Sequence, residues 1–197
     1  MSILKNYKVC FIGRTGNGKT TLINSMFGTQ FCTDPLVPCT KELYSVTLIG
    51  CCPKGYDSIT IFDTPGIGEF SSNSQYLKYY QYAVNKSNCI VLVSTFDRTD
   101  APAQRLLLQL KSFIKNNDVK FIVALNHIDS TIVAEDREYI AWNNDENMPT
   151  PLCSEYIKLR TDEIHKKFDG KFLPFCVIPV CGIRNYNIVN LLNEIKQ

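Results

Sequence analysis

The stretch GRTGNGKT, residues 13–20, decides the fold. It matches the pattern G-x-x-x-x-G-K-[ST], which binds phosphate when a strand precedes it and a helix follows it. Both flanks fit this requirement, because KVCFIG (8–13) is an apolar run and TLINSMF (21–27) is a plausible helix. The stretch therefore predicts a site for a nucleoside triphosphate with magnesium. The alternative is a glycine-rich turn that contains a lysine by chance.

The residue types in this loop explain how it would hold phosphate. Gly13, Gly16 and Gly18 permit backbone conformations and close approaches that a side chain would block. Successive N–H groups can then converge on phosphate oxygens at the positive end of a helix. Lys19 would reach the β- and γ-phosphates and assist catalysis, and Thr20 would offer its hydroxyl to Mg²⁺. The predicted nucleotide contacts in this loop are Arg14, Thr15, Gly16, Asn17, Gly18, Lys19, Thr20 and Thr21.

The rest of the chain alternates between predicted strands and helices. Five continuous apolar runs indicate buried strands of a parallel sheet, and they are residues 8–13, 58–63, 89–96, 120–126 and 175–180. The run 43–50 alternates, which favours an edge strand that is antiparallel if the next turn closes a hairpin. Helical spacing of apolar residues marks 106–114 and 188–195. We therefore predict a doubly wound α/β fold, with a mostly parallel six-stranded sheet and helices on both faces, as one domain over residues 1–197. The polar segment 130–151 is predicted to be a long loop or a partly helical insertion.

The composition of the chain indicates no particular class of macromolecular partner. Hydrophobic residues make up 45% of the chain and charged residues 20%, and the net charge is +2. Such a charge generates no strong field, so we expect neither nucleic acid nor an acidic membrane as a partner.

Cysteine usage indicates the compartment. The nine cysteines include no CxxC pair, and with only two histidines no zinc-ligand spacing arises. We therefore expect reduced, mostly buried thiols and a cytoplasmic protein. The N-terminus lacks the pattern of a signal peptide, and no apolar run is long enough to span a membrane.

A carboxylate and a glycine follow the second buried strand, in ITIFDTPGIGEF (59–70). Asp63 could hold Mg²⁺ through water, and the Gly66 N–H could meet the γ-phosphate during catalysis. By itself D-T-P-G is also a common turn. Ile67 stands where Ras-like enzymes place a glutamine that orients water, and an apolar side chain cannot do so. Hydrolysis in the isolated chain should therefore be slow, or should need a group from elsewhere.

A GTP switch also needs a threonine whose hydroxyl coordinates Mg²⁺ while the γ-phosphate is present. The segment between the two motifs carries Thr29, Thr33 and Thr40. We select Thr40 as the metal-binding and catalytic threonine, because a proline-containing loop precedes it and the edge strand follows soon after. An ordinary loop threonine is the alternative. Residues 29–42 and 64–75 would be the loops that change with nucleotide state.

The stretch VALNHIDS (123–130) ends an apolar strand with polar residues, at the edge where α/β sheets bind ligands. It matches the guanine-reading pattern N-K-x-D with one substitution. Asp129 would accept hydrogen bonds from guanine N1–H and from the exocyclic amine, which adenine cannot supply in that geometry. Asn126 would tie this loop to the phosphate loop, and the His127 imidazole could stack on the purine in place of lysine. An exposed turn is the alternative for His127.

A second loop that touches guanine is predicted after the last parallel strand. There IPVCGIRN (178–185) places Cys181 and Gly182, where GTPases commonly have Ser-Ala. A plain turn at the end of a strand is the alternative.

These motifs, in this order, resemble translation-factor-class P-loop GTPases, and most of all the immunity-associated (GIMAP-type) family related to septins and plastid import GTPases. The segment CIVLVSTFDRTDAPAQRLLLQL (89–110) resembles that family's box between the third and fourth motifs, although Asp97 replaces the family's glycine. The resemblance covers residues 6–125 well and the remainder loosely. It implies GTP and GDP binding, a homodimer through the nucleotide faces and a catalytic arginine from the partner, which by correspondence would be Arg98. An exposed loop arginine is the alternative for Arg98, and Arg14 is a second candidate for the role.

The sequence therefore predicts a guanine-nucleotide switch that binds GTP or GDP with Mg²⁺ and hydrolyses GTP slowly, by nucleotide-dependent self-association. Two alternatives stay open at this point. A P-loop ATPase or nucleotide kinase shares the phosphate motif, but Asp129 argues against it. A scaffold that holds nucleotide without hydrolysing it is compatible with Ile67.

Overall fold

The computed structural model describes residues 4–33, 42–67, 74–96, 105, 108–114, 118–130, 141–170 and 175–197. Its main element is a six-stranded sheet, in which the strands follow the order β2-β3-β1-β4-β5-β8. These strands are β1 (Asn6–Ile12), β2 (Tyr44–Ile49), β3 (Ser58–Asp63), β4 (Cys89–Thr95), β5 (Lys120–Asn126) and β8 (Phe175–Pro179).

The strand pairing confirms the predicted fold class. β1 is parallel to β3 and to β4, and β5 is parallel to β4 and to β8. Only β2 is antiparallel, as the edge-strand interpretation of residues 43–50 expected, and it pairs with β3 from Tyr44 opposite Asp63 to Ile49 opposite Ser58. Because the five parallel strands point the same way, all their carboxyl ends lie along one edge of the sheet.

Among the helices in the described part of the chain are α1 (Lys19–Phe27), α2 (Ser74–Lys86), α3 (Pro151–Phe168) and α4 (Ile188–Lys196), which flank the sheet. Local chemistry sets their bounds. α1 begins after Gly18 and ends at Gly28, and both glycines adopt the left-handed backbone that glycine tolerates best. α3 begins at a proline, and the Thr150 hydroxyl before it accepts a hydrogen bond from the Cys153 N–H.

Alternating side chains divide the core between the two faces of the sheet. Cys10 and Ile12 of β1 pack on the face covered by α2 and α3. Val9 and Phe11 of the same strand pack on the opposite face, against α1 and α4. The predicted helical spacing over 188–195 is visible in α4, whose Ile188, Leu191 and Ile195 are buried. Both faces are therefore covered, as the continuous apolar strands predicted.

The segment 130–151 was predicted to be a long loop or a partly helical insertion, and residues 131–140 of it lie outside the described residues. In its described part, Trp142–Asn143 (β6) and Met148–Pro149 (β7) pair as an antiparallel hairpin, here called hairpin 142–149. The Asn143 side chain organises its turn by accepting hydrogen bonds from the Asp145 and Glu146 N–H groups. A local turn therefore takes precedence over helix formation, because an asparagine side chain can satisfy turn N–H groups directly.

The strand 89–96 is followed by helical backbone at residues 108–110 and by one 3₁₀ turn at Lys111–Phe113. Of the apolar stripe predicted there, Leu110 is fully buried, whereas Leu106 and Leu107 lie outside the described residues.

Eight cysteines fall within the described ranges, and all eight are free thiols. Four of these thiols are buried, among them Cys10 and Cys181, and Cys32 and Cys51 are exposed. Among the described helices, none combines the length and the apolar character needed to cross a membrane.

Two isoleucines in neighbouring strands test this core. Ile61 of β3 is fully buried, whereas Ile49 of β2 is 86% exposed. We expect Ile61→Ala to lower the free energy of unfolding by about 2–5 kcal/mol, because it removes buried contacts and leaves a cavity. The matched variant Ile49→Ala should cost no more than about 1 kcal/mol. Urea unfolding under reducing conditions measures both, and equal losses would contradict this packing.

Candidate nucleotide-binding site

Four of the predicted functional segments lie at the carboxyl edge of the parallel strands. The phosphate-loop motif follows β1, Asp63 ends β3, Asn126 ends β5, and Cys181 follows β8 closely. Four loops that are distant in sequence therefore meet above one edge of the sheet, which is the usual place for ligands in α/β proteins.

The loop 13–18 wraps around the amine of Lys19. The Lys19 Nζ donates to the carbonyl oxygens of Gly13 at 3.1 Å and Arg14 at 3.2 Å, and the side chain is almost wholly buried. Gly16 and Gly18 have positive φ angles of 79° and 80°. The left-handed conformations turn the chain around the ammonium group, which gives the site a fixed positive charge at the start of α1.

Asn17 attaches the phosphate loop to strand β4. Its side-chain Nδ2 donates to the Val93 carbonyl of β4 at 2.8 Å, and its backbone N–H donates to the Arg14 carbonyl at 3.2 Å. Gly13 also packs directly on this strand, since a Cβ there would lie 2.4 Å from the Val93 carbonyl oxygen. The loop is therefore attached to the neighbouring strand as well as to α1.

A hydroxyl and a carboxylate meet at the base of the loop. The Thr20 Oγ1 donates to Asp63 Oδ2 at 2.7 Å, and Asp63 is fully buried. Both groups offer hard oxygen ligands, which are the type that Mg²⁺ prefers. Two of the three residues predicted to hold the metal, Thr20 and Asp63, thus lie together, with a donor set that fits magnesium.

The D-T-P-G segment lies against the phosphate loop. The Ile67 N–H donates to the Gly13 carbonyl at 3.1 Å, and Ile67 forms an isolated parallel bridge with Arg14. A Cβ on Gly66 would lie only 1.8 Å from the Thr15 Oγ1, so no other residue fits at position 66 without displacing the loop. The Ile67 side chain packs on the hydrophobic core, consistent with its inability to position water.

Two further hydrogen bonds hold this segment in place. The Thr64 hydroxyl donates to the Phe11 carbonyl of β1, and the Tyr80 hydroxyl of α2 donates to the Pro65 carbonyl, each at 2.7 Å. Tyr80 was not singled out from the sequence, because one tyrosine in a helix that also contains Tyr76, Tyr79 and Tyr82 carries no distinguishing pattern.

Asn126 connects three loops through one buried amide. Its Nδ2 donates to the Asn17 carbonyl at 2.9 Å, and its Oδ1 accepts from the Gly182 N–H at 3.1 Å. The Gly182 carbonyl in turn accepts from the Ser25 hydroxyl of α1 at 3.0 Å. The link between Asn126 and the phosphate loop is therefore present, and it extends to the loop after β8.

His127 lies beside the phosphate loop in a left-handed backbone conformation, with φ of 58°. A Cβ added to Gly18 would be 3.1 Å from the His127 Nε2. The imidazole is only half-buried. It therefore occupies the space between the phosphate loop and the predicted base pocket.

Asp129 is held by Arg184, from the loop after β8. Arg184 Nε donates to Asp129 Oδ2 at 2.9 Å, and the carboxylate is 11% exposed. Burial, with the neighbouring Asp129 carboxylate adding to it, raises the pKa of the Cys181 thiol to about 12, so the group stays a neutral thiol at neutral pH.

The remaining predicted residues divide into two groups. Thr21 is a half-buried residue of α1, Thr29 donates to the Asn24 Oδ1 at 2.7 Å, and Thr33 is exposed. Thr40 and Arg98 lie outside the described residues, so their predicted roles as metal ligand and catalytic arginine stay predictions.

Arg184 and the hairpin 142–149 are the features of this site that sequence reasoning missed. The arginine stands three residues after Cys181 in IPVCGIRN, within a loop that had already been selected. Its partners, however, come from residues 129 and 144, and no local pattern specifies such distant contacts.

Comparison with known proteins agrees with this geometry. The model of the 50S ribosome-binding GTPase family matches residues 8–127, which contain the phosphate loop, D-T-P-G and Asn126. GTPase Era of Borreliella burgdorferi (strain ZS7) is 25% identical over 173 residues, covering 86% of this chain and 58% of that protein. The chain thus spans little more than half the length of this relative.

Solved structures share the fold. Era in complex with MgGDPNP and 16S ribosomal RNA superposes with a TM-score of 0.68 and 20% identity, over 98% of this chain and 56% of that one. Toc33 from Arabidopsis thaliana, in a dimerisation-deficient variant, gives a TM-score of 0.69 and 17% identity, over 98% of this chain and 83% of that one. At these identities the likeness establishes the fold alone.

Gly18 and Gly16 provide a matched test of the contact between the loops. Both have the same positive φ, so alanine at either position carries a similar backbone cost of about 1–2 kcal/mol. A Cβ on Gly18 would also lie 2.4 Å from the Asn126 Nδ2, whereas nothing lies within 4 Å of one on Gly16. We expect Gly18→Ala to lower the free energy of unfolding by about 1–3 kcal/mol more than Gly16→Ala does. The added methyl group would displace the Asn126 Nδ2 from its buried acceptor, the Asn17 carbonyl.

Urea unfolding of the nucleotide-free variants measures this difference. Indistinguishable unfolding free energies would show that Asn126 does not bind the phosphate loop as described.

Proposed function

This chain belongs to the 50S ribosome-binding GTPase family, and we propose that it is a guanine-nucleotide switch that binds GTP and GDP with Mg²⁺ and hydrolyses GTP slowly. One observation carries the proposal: the Asn126 amide joins the loop that would hold phosphate to the loop that would read the base. Its second bond brings in Gly182 and thus the third loop. A phosphate motif alone would serve any nucleotide, whereas this connection fixes its position relative to a base-reading carboxylate.

At the phosphate end, residues 13–21 would supply the nucleotide contacts. The Lys19 ammonium would exchange the carbonyls of Gly13 and Arg14 for β- and γ-phosphate oxygens. Mg²⁺ would neutralise charge that develops on the phosphates, with Thr20, Thr40 and, through water, Asp63 as its protein-side partners. The Gly66 N–H would approach the γ-phosphate from the D-T-P-G segment, which packs closely against Thr15 of the phosphate loop.

At the base end, Asp129 would accept from guanine while His127 covers the purine ring. Cys181 and Gly182 would complete the pocket from the loop after β8. Adenine offers no matching pair of donors, so it would leave a largely buried carboxylate without them. This argument favours a GTPase over a P-loop ATPase.

We further propose that hydrolysis proceeds by self-association. Ile67 cannot orient water, so a second copy would supply Arg98, or Arg14, to stabilise charge on the γ-phosphate. The Toc33 structure is that of a dimerisation-deficient arginine-to-alanine variant, which illustrates an arginine-dependent dimer on this fold. If no partner arginine acts, the chain would be a scaffold that holds nucleotide without turnover.

Broader assignments belong to the same proposal. The comparisons support the GTPase class and not the narrower immunity-associated family, which rests only on the segment 89–110.

Residues 1–197 are proposed to form one domain, since strands from 6 to 179 share one sheet. The free described thiols favour the cytoplasm. The Era structure contains ribosomal RNA, but the low net charge of this chain leads us to propose no nucleic-acid partner.

Base selectivity tests the central part of this proposal. We expect GDP to displace a fluorescent guanine nucleotide far more effectively than ADP does. Asp129→Asn should weaken the binding of GDP by at least about a hundredfold, because the amide N–H group, a donor, would face the donors of guanine. The control Asp162→Asn, at an exposed position of α3, should leave binding unchanged. Equal displacement by GDP and ADP would refute the guanine assignment.

The concentration dependence of turnover tests self-association. If a partner supplies the arginine, GTP hydrolysis per chain should rise with protein concentration, by up to about 10³–10⁵-fold when an arginine finger is complete. Arg98→Ala should abolish the rise, and Arg105→Ala, which alters an exposed arginine nearby, should preserve it. Turnover that is independent of concentration would contradict catalysis in trans, and no turnover at all would favour the scaffold.

A further inference from the structure

Arg184 connects the predicted base-reading loop to hairpin 142–149. Its Nε donates to Asp129 Oδ2 at 2.9 Å, and its Nη1 donates to Asn144 Oδ1 at 2.9 Å. The same guanidinium stacks over the Trp142 ring, 5.0 Å from the ring centroid. Three independent contacts therefore set the position of one planar cation.

The hairpin also holds the backbone of Arg184. Asn147 donates from Nδ2 to the Arg184 carbonyl at 3.1 Å, and its Oδ1 accepts from Trp142 Nε1 at 3.3 Å. The Trp142 ring contacts Tyr186 edge-on at 5.2 Å, and Tyr186 exchanges backbone hydrogen bonds with Cys181. The hairpin and the loop after β8 thus form one bonded unit.

Through Arg184, these contacts of the hairpin bear on the Asp129 carboxylate. A carboxylate on a free side chain can rotate, whereas recognition of two donors on guanine requires both oxygens in one plane and at one angle. Arg184 fixes one of these oxygens, Oδ2, through its Nε. Because Arg184 contacts the Asp129 carboxylate through Nε alone, other lone pairs of the carboxylate stay available to accept hydrogen bonds from a base.

From this geometry we propose that Arg184 is a positioning residue for base recognition: held by hairpin 142–149, it orients the Asp129 carboxylate toward guanine. The inference rests on the proposed guanine-nucleotide function and assigns a role to the described part of the 130–151 insertion. Preorganisation is the physical reason, since a carboxylate already in place loses no rotational freedom when the base binds.

The test compares GDP with inosine diphosphate, which keeps N1–H and lacks the exocyclic amine. A correctly oriented carboxylate gains from the second donor, so the wild-type chain should prefer GDP. In Arg184→Ala this preference should fall about tenfold, the size typical of residues in direct contact. Arg184→Lys should restore only part of it, because an ammonium lacks the planar fork that serves Asp129 and Asn144 together.

Arg160→Ala is the matched control, because Arg160 also pairs with a carboxylate, that of Glu163 at 2.7 Å, but on α3. Its preference for GDP should equal that of the wild-type chain. Thermal unfolding of each nucleotide-free variant shows whether it is folded, and if Arg184→Ala is not, Arg184→Lys carries the comparison. In an Asp129→Ala background, replacing Arg184 should cause no further loss, since the arginine acts through the carboxylate.

Three results would overturn the inference. Arg184→Ala could weaken the binding of GDP and of inosine diphosphate equally, which would show that Arg184 only stabilises the loop and does not orient the carboxylate. GDP could bind more tightly, which would show that Arg184 competes with the base. An equal loss with and without Asp129 would also refute it. A wild-type chain that does not prefer GDP to ADP would instead remove the proposed function itself.

Discussion

Two hydrogen bonds made by the side chain of Asn126 hold the site together. The amide is buried, and its partners are backbone groups of Asn17 and Gly182, which belong to different loops. Removing the amide would leave a buried carbonyl and a buried N–H unsatisfied, which typically costs about 1–3 kcal/mol for each group. Asn126, at the end of β5, therefore helps to set the relative position of the phosphate loop and the loop after β8, together with the bond from the Ser25 hydroxyl of α1 to the Gly182 carbonyl.

The parallel sheet makes that arrangement possible. β1, β3, β4, β5 and β8 end along a common edge, so short loops deliver Lys19, Asp63 and Asn126 to the same region. Cover on both faces makes the strand ends rigid, and polar groups can be placed there with little freedom. The Lys19 ammonium lies within the phosphate loop, and the Asp129 carboxylate, paired with Arg184, lies in the loop that follows β5. This arrangement suits a ligand that carries phosphates at one end and hydrogen-bond donors at the other.

Local patterns in the sequence predicted much of this structure. The six main strands, the antiparallel edge, the phosphate loop and the contact of Asn126 with it all depend on periodicity or on a short motif, and these are expressed within a few residues. Arg184 could not be predicted in the same way, because its contacts with Asp129 and Trp142 join segments about 40–55 residues apart. The hairpin 142–149 was missed because its strands have two residues each, too few for an alternating pattern.

A structure of the chain with GDP and Mg²⁺ would show directly whether Asp129 reads the base. We expect guanine N1–H and the exocyclic amine within hydrogen-bonding distance of the Asp129 carboxylate, His127 against the purine ring, and the ion at Thr20 near Asp63. A nucleotide whose base points away from Asp129, with its phosphates outside the loop 13–20, would contradict it.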